Sequence, residues 1–200
     1  MPGRGESRSS FVQPLGAFDL MKPWSGGLVV VRRPAPLVQH EASYQVVWLT
    51  EDSQPFEVSV AYEPSPVTEA DVRAGLERYE RTGLPGMFVE RGLFASLEAV
   101  RAAAREGMVI PEYLPPIRNG SSGVNDRSLL VTDDGTVWVQ RWRSSTPDLE
   151  SWDVVSTSGL EARVGVPSAV TLLAVRGRYA WGVVRDSLDV PTIVRLRLER

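Results

Sequence analysis

The stretch Leu129 to Trp142, LLVTDDGTVWVQRW, constrains the fold more than any other. Two apolar segments meet across Asp133-Asp134-Gly135. An Asp-Gly pair in that position marks a tight hairpin, because glycine accepts the positive φ that the turn demands. In the second segment Val137 and Val139 fall on one side, Trp138 and Gln140 on the other, which is the alternation of a strand. A second unit follows at once: Trp152 to Val155, a turn at Ser158-Gly159, then Glu161 to Val166. Consecutive units of this kind predict an antiparallel meander.

Strands are expected on both sides of it. Upstream, Phe11 to Met21 reads as a strand, a Gly26-Gly27 turn leads into Leu28-Val29-Val30-Val31, and Tyr44 to Leu49 precedes a turn at Glu51-Asp52-Ser53. Phe56 to Tyr62 follows, with Phe56, Val58 and Val60 on one face. Downstream, Thr171 to Val175, a turn at Arg176-Gly177-Arg178, Tyr179 to Val184 and Thr192 to Leu198 continue the pattern. Pro191 opens the last of these, where a missing N–H costs little. Arg195 and Arg197 alternate with Leu196 and Leu198 and read as the wet face of that strand.

The character changes at Pro64-Ser65-Pro66. Thr68, followed three residues later by Asp71, is a helix-start signature, and Glu69 and Asp71 favour the positive end of the helix dipole. Val72, Leu76 and Tyr79 repeat at helical spacing up to Gly83, which stops the helix. A second helix is expected from about Leu93 to Glu106, with Leu93, Leu97, Val100 and Ala104 on one face and Gly107 as its cap.

The halves on either side of these helices repeat. Gly26-Gly27-Leu28-Val29-Val30 answers to Asp134-Gly135-Thr136-Val137-Trp138, and Val47-Trp48-Leu49 answers to Asp153-Val154-Val155 at a nearly equal offset. Without the helical segment, the repeating unit has about the size of one propeller blade, ~40–50 residues in four strands. The pattern Asp134-Gly135-x-Val137-Trp138-Val139, Trp152-Asp153-Val154-Val155 with Gly159, Val166-Pro167, Gly182-Val183-x-x-Asp186 and Val194-x-x-x-Leu198 resembles the closing part of bacterial six-bladed β-propellers, an uncharacterised group related in form to NHL-type propellers. Val60 to Thr68 is similar to a segment that precedes two blades in that group.

The resemblance covers roughly residues 20–200 and implies a fold that is mainly β: antiparallel four-stranded blades of a partial β-propeller with a two-helix insertion. The expected organisation is a disordered N-terminus over residues 1–10, a first β blade over 11–63 and a helical insertion over 64–110. A second β blade over 111–167 and a C-terminal partial blade over 168–200 complete it. The resemblance further implies a chain corresponding to the C-terminal half of such a protein. A partial ring leaves apolar blade faces open, so self-association is expected.

Composition narrows the partners. A net charge of −3 with dispersed basic residues supplies no footprint for nucleic acid. The absence of cysteine excludes disulfides, thiolate metal sites and a cysteine nucleophile. Lys22 is the only lysine against 21 arginines, a bias ascribed to a GC-rich bacterial genome. The first residues, MPGRGESRSSF, carry no apolar core of a signal peptide, and no apolar run reaches the ~18–20 residues that span a bilayer. The chain taken as complete is expected in the cytoplasm. As a fragment of an exported parent it belongs in the periplasm or outside the cell.

No catalytic, cofactor-binding or metal-ligating residues emerge as a set, and no cofactor is expected. His40, the single histidine, lies in a polar connector with no neighbour at ligand spacing. Ser121 and Ser122 in Gly120-Ser121-Ser122-Gly123 only mimic a nucleophile elbow. Asp133 and Asp134 lack the alternating oxygen ligands of a calcium loop and read as a solvated turn. Asp126 and Asp186 are expected near strand ends, where lactonase-type propellers place metal-binding carboxylates. The six tryptophans fall in or beside strands, so packing between blades accounts for most, with one or two left to stack on sugar or peptide.

The expected function is a non-enzymatic binding or scaffold module for a protein, glycan or small-molecule ligand. The alternatives are a metal-dependent lactonase or glycan-active hydrolase with a channel site, and a truncated propeller fragment without independent activity.

Overall fold

The computed structural model describes residues 19–32, 42–51, 53–81, 84–107, 110–117, 127–142 and 148–199. They fall into two compact units, one containing Val67–Glu112 and one made of Ala17–Pro66 with Tyr113–Arg200.

The larger unit is built of antiparallel sheets. β1 (Leu20–Trp24), β2 (Gly27–Arg32), β3 (Ser43–Leu49) and β4 (Phe56–Ala61) form a meander in that order. Alternating β-branched and aromatic residues make these strands, because such side chains pack well on a pleated surface. The register sets Leu20 opposite Val31, Val29 opposite Trp48, Val31 opposite Val46 and Tyr44 opposite Val60, so all of them share one buried face.

β5 (Leu129–Val131), β6 (Val137–Gln140), β7 (Leu149–Ser156) and β8 (Gly159–Pro167) form the second meander. The expected hairpin is present: Val131 pairs with Val137, and the Thr132 N–H donates to the Thr136 carbonyl at 2.9 Å across the turn. Strands β5, β6 and β7 of this sheet are buried on both faces, while β8 is largely exposed. Leu129, Val137, Val139 and Val155 pack against the first sheet, and Leu130, Trp138, Trp152, Val154 and Val166 pack against Leu172 and Ala180 of a third. The third consists of β9 (Thr171–Arg176), β10 (Tyr179–Arg185) and β11 (Pro191–Arg197). Equivalent strands lie side by side: β1 touches β5, β5 touches β9, and β4 touches β8. The result is three face-to-face sheets, and the described residues close no barrel or ring.

Of the strand expected over Phe11 to Met21, residues 11–18 lie outside the described ones, and β1 begins at Leu20. The repeat is displaced by one residue in its second half: Val29 faces Trp48 where Val137 faces Val155, so Trp48 and not Leu49 is the counterpart of Val155. A shift of one residue moves every side chain to the other face, and that is why Trp48 points into the core.

The smaller unit contains three helices where two were expected: α1 (Glu69–Arg81), α2 (Leu84–Glu90) and α3 (Leu97–Gly107). The start of α1 follows the sequence signature. The Asp71 N–H donates to the Thr68 hydroxyl oxygen at 3.3 Å, and the Thr68 N–H and hydroxyl donate to the Asp71 carboxylate at 3.0 and 2.6 Å. α2 escaped notice because Pro85-Gly86 reads as a breaker, yet proline is tolerated in a helix's first turn, where N–H groups have no partner. It ends in a Schellman turn: Gly92 takes φ 69°, its N–H donates to the Val89 carbonyl at 2.9 Å, and the Leu93 N–H donates to Phe88 at 3.0 Å. Leu93 therefore closes α2 and is exposed instead of opening the next helix. Ser96 caps α3 through its hydroxyl and the Ala99 N–H, and Val100 and Ala104 are the buried face. No helix among the described residues is long and apolar enough to cross a membrane.

Candidate functional site

Among the described residues, the densest polar cluster is built around Asp153. Strand alternation in β7 puts it on the face that meets the first sheet, opposite Val139 of β6 and Arg163 of β8. Its carboxylate is fully buried and is satisfied by three side chains. The Tyr44 hydroxyl donates to Oδ2 at 2.8 Å, Arg141 Nη1 donates to the same oxygen at 3.1 Å, and Arg163 Nε donates to Oδ1 at 3.2 Å. Arg163 Nη2 also donates to the Ala61 carbonyl at 3.4 Å, and the Arg141 guanidinium lies 5.9 Å from the centre of the Tyr62 ring. Burial, and after it the charge and hydrogen bond of Asp153, push the Tyr44 hydroxyl far above the usual phenol range. A phenol held protonated, facing a carboxylate already occupied by two guanidinium groups, is poorly suited to accept or deliver a proton. The cluster is a tie between two sheets.

A second tie grips the Asp133-Asp134-Gly135 turn. Trp48 Nε1 donates to the Gly135 carbonyl at 2.8 Å, the Ser25 hydroxyl donates to the Asp133 carbonyl at 3.2 Å, and the Trp24 ring lies against Gly135. Gly135 has φ 82°, and a Cβ there would come within 3.1 Å of the Trp24 ring, so both backbone and space call for glycine.

Held beside that turn is a cleft of about 370 Å³ along the first strands of all three sheets. Its apolar lining includes Leu130, Val131, Leu173, Val175 and Trp181, and it is also lined by Lys22, Asp133 and Arg176. Arg176 Nε sits 3.5 Å from Asp133 Oδ2, with both side chains largely in water, so the pair is weak and available to a polar guest. A wider hollow of about 560 Å³ is lined by turn residues, among them Ser25, Gly26, Thr50 and Ser53. It offers less apolar contact than the cleft, which joins an indole to two cations and a carboxylate.

Of the residues singled out in the sequence, His40, Ser121, Ser122 and Asp126 lie outside the described ones. Asp134 serves its own turn: the Thr132 hydroxyl and the Thr136 N–H hold its carboxyl below the usual carboxylate range. Asp133 lines the cleft. Asp186 accepts the N–H groups of Leu188 and Val190, both at 2.9 Å, and so closes the β10–β11 hairpin. Trp48, Trp138 and Trp152 are buried between sheets and Trp142 is also buried, while Trp24 and Trp181 are partly exposed, each in one of the two hollows. Asp153 was missed, although an aspartate inside Trp152-Asp153-Val154-Val155 is an acid in an otherwise apolar strand and signals a buried partner. Compared with protein-family models, with curated proteins and with solved structures, the chain matches none.

Proposed function

We propose that the chain is a non-enzymatic binding module of β-propeller type, in which the three stacked sheets act as consecutive blades. Its ligand site is the cleft along β1, β5 and β9. The observation that carries this reading is the alignment of the three first strands, because their adjacency is the arrangement that in a propeller faces the central channel. The cleft's chemistry supports a small guest with both an apolar face and polar substituents, such as a sugar unit or a short peptide. Trp181 offers the apolar contact, while Lys22, Arg176 and Asp133 offer hydrogen bonds.

Titration of the chain with a panel of mono- and disaccharides and short peptides, followed by tryptophan fluorescence, tests the reading. At least one member is expected to saturate, and Trp181→Ala is expected to weaken that binding by about tenfold or more, since buried tryptophan anchors commonly contribute that much. Binding unchanged in Trp181→Ala, or no saturation by any member, contradicts it.

A further inference from the structure

Among the described residues, the third sheet has one strand fewer than the other two. β3 carries β4 on its far edge and β7 carries β8, whereas no described residue pairs with the corresponding edge of β11. The correspondence rests on strand adjacency, since β9 lies beside β5 as β5 lies beside β1.

Hydrogen-bond parity shows what that edge presents. The Leu198 N–H donates to the Arg178 carbonyl at 2.9 Å and the Asp186 N–H donates to Val190 at 3.2 Å, in the same register that pairs β10 with β11. Even-numbered residues of β11 therefore bond to β10, and the N–H and C=O groups of Ile193, Arg195 and Arg197 point to the open edge. All three side chains are exposed, Ile193 by 75%. Between them Val194 and Leu196 turn toward the second sheet and pack on its core. Of the devices that blunt an edge strand, β11 has Pro191 at its start and the exposed charges of Arg195 and Arg197, but it is not short and pairs with β10 over seven residues without a bulge, so an acidic partner meets a continuous edge.

We infer that β11 is a docking edge that takes an extended segment of another protein as the fourth strand of this sheet. The guest runs antiparallel, with acidic side chains opposite Arg195 and Arg197 and apolar side chains alternating with them. Opposite charges directly across an antiparallel pair stabilise it, and the apolar alternates continue the layer that Val194 and Leu196 begin. A second copy of β11 fits poorly. Pairing centred on Arg195 or Leu196 sets arginine against arginine, and pairing centred on Ile193 or Val194 brings Pro191, which has no N–H to donate, opposite Arg195 or Arg197.

The probe is a labelled peptide, TEVEVIT, whose antiparallel register places its two glutamates opposite Arg197 and Arg195 and its isoleucine opposite Ile193. Fluorescence anisotropy with the whole chain is expected to show saturable binding. The charge-reversed TKVKVIT is expected to bind about tenfold more weakly, a difference of ~1.4 kcal/mol. A peptide N-methylated at both glutamates and the isoleucine is expected not to bind. In the complex, hydrogen exchange is expected to slow at the amides of Ile193, Arg195 and Arg197. R195E/R197E is expected to exchange the preference of the two peptides, and the comparisons on the unaltered chain decide the matter even if that variant does not fold. The inference is overturned if TEVEVIT fails to saturate up to about 1 mM. It is equally overturned if the N-methylated peptide binds as well, or if the same amides become protected merely by raising the concentration of the chain alone.

Discussion

Asp153 shows how one residue can hold two sheets together. Its burial is tolerable only because Tyr44, Arg141 and Arg163 together satisfy the carboxylate, so removing any of them has a cost larger than an ordinary hydrogen bond. Tyr44→Phe is expected to lower unfolding free energy by about 1–3 kcal/mol in urea titrations at pH 7, and Asp153→Ala by about 3–5 kcal/mol. The pH dependence has a definite sign. The Tyr44 hydroxyl is raised in the folded state, so the unfolded chain loses that proton first, and the stabilisation present below pH about 10 is lost as pH rises beyond it. Above that pH the slope of stability is expected to be steeper in the unaltered chain than in Tyr44→Phe by up to about 1.4 kcal/mol per pH unit. Tyr62 and Tyr79, also raised by burial, leave a residual slope in the variant. Tryptophans separate in the same way. Trp48→Phe loses the bond to Gly135 and is expected to cost about 1–3 kcal/mol, whereas Trp152→Phe removes an indole N–H without a partner among the described residues and is expected to cost less. Thermal denaturation of the two variants side by side checks the order.

At the scale of elements, local signals were readable wherever a few adjacent residues decide the outcome. The Asp134-Gly135 turn and the Thr68–Asp71 cap both appear as the residues suggest, because each depends on contacts within four positions. Thr68→Ala is accordingly expected to destabilise α1 by about 1 kcal/mol, read by the loss of helical circular dichroism on heating. What was not legible depends on longer reach. α2 is hidden by a proline and a glycine whose helical role is fixed by the Schellman turn at Gly92. The one-residue displacement of the repeat is set by cross-strand register, which no single segment carries. The cleft was invisible for the same reason: Lys22, Asp133 and Trp181 are far apart in the chain, and only the stacking of sheets brings them together. Asp186 looked like a channel carboxylate but completes its own hairpin.

For the molecule as a whole, the two apolar clusters on either side of the second sheet make it the common support of the other two. A binding module built this way is expected to be indifferent to divalent metal, so calcium, magnesium or zinc should leave its melting temperature unchanged. A stabilising shift on adding one of them favours the hydrolase alternative, since a ligand specific for the folded state raises that temperature. The central claim is that the first strands of three sheets meet around one cleft. The chain has no cysteine, so Lys22→Cys with Arg176→Cys introduces a single reactive pair across that cleft. Treatment with a short bismaleimide, followed by peptide mass spectrometry, is the most direct measurement. The account predicts a high yield of the intramolecular crosslink joining positions 22 and 176, falling when a saturating ligand occupies the cleft. Two singly modified cysteines with no crosslink between them would contradict it.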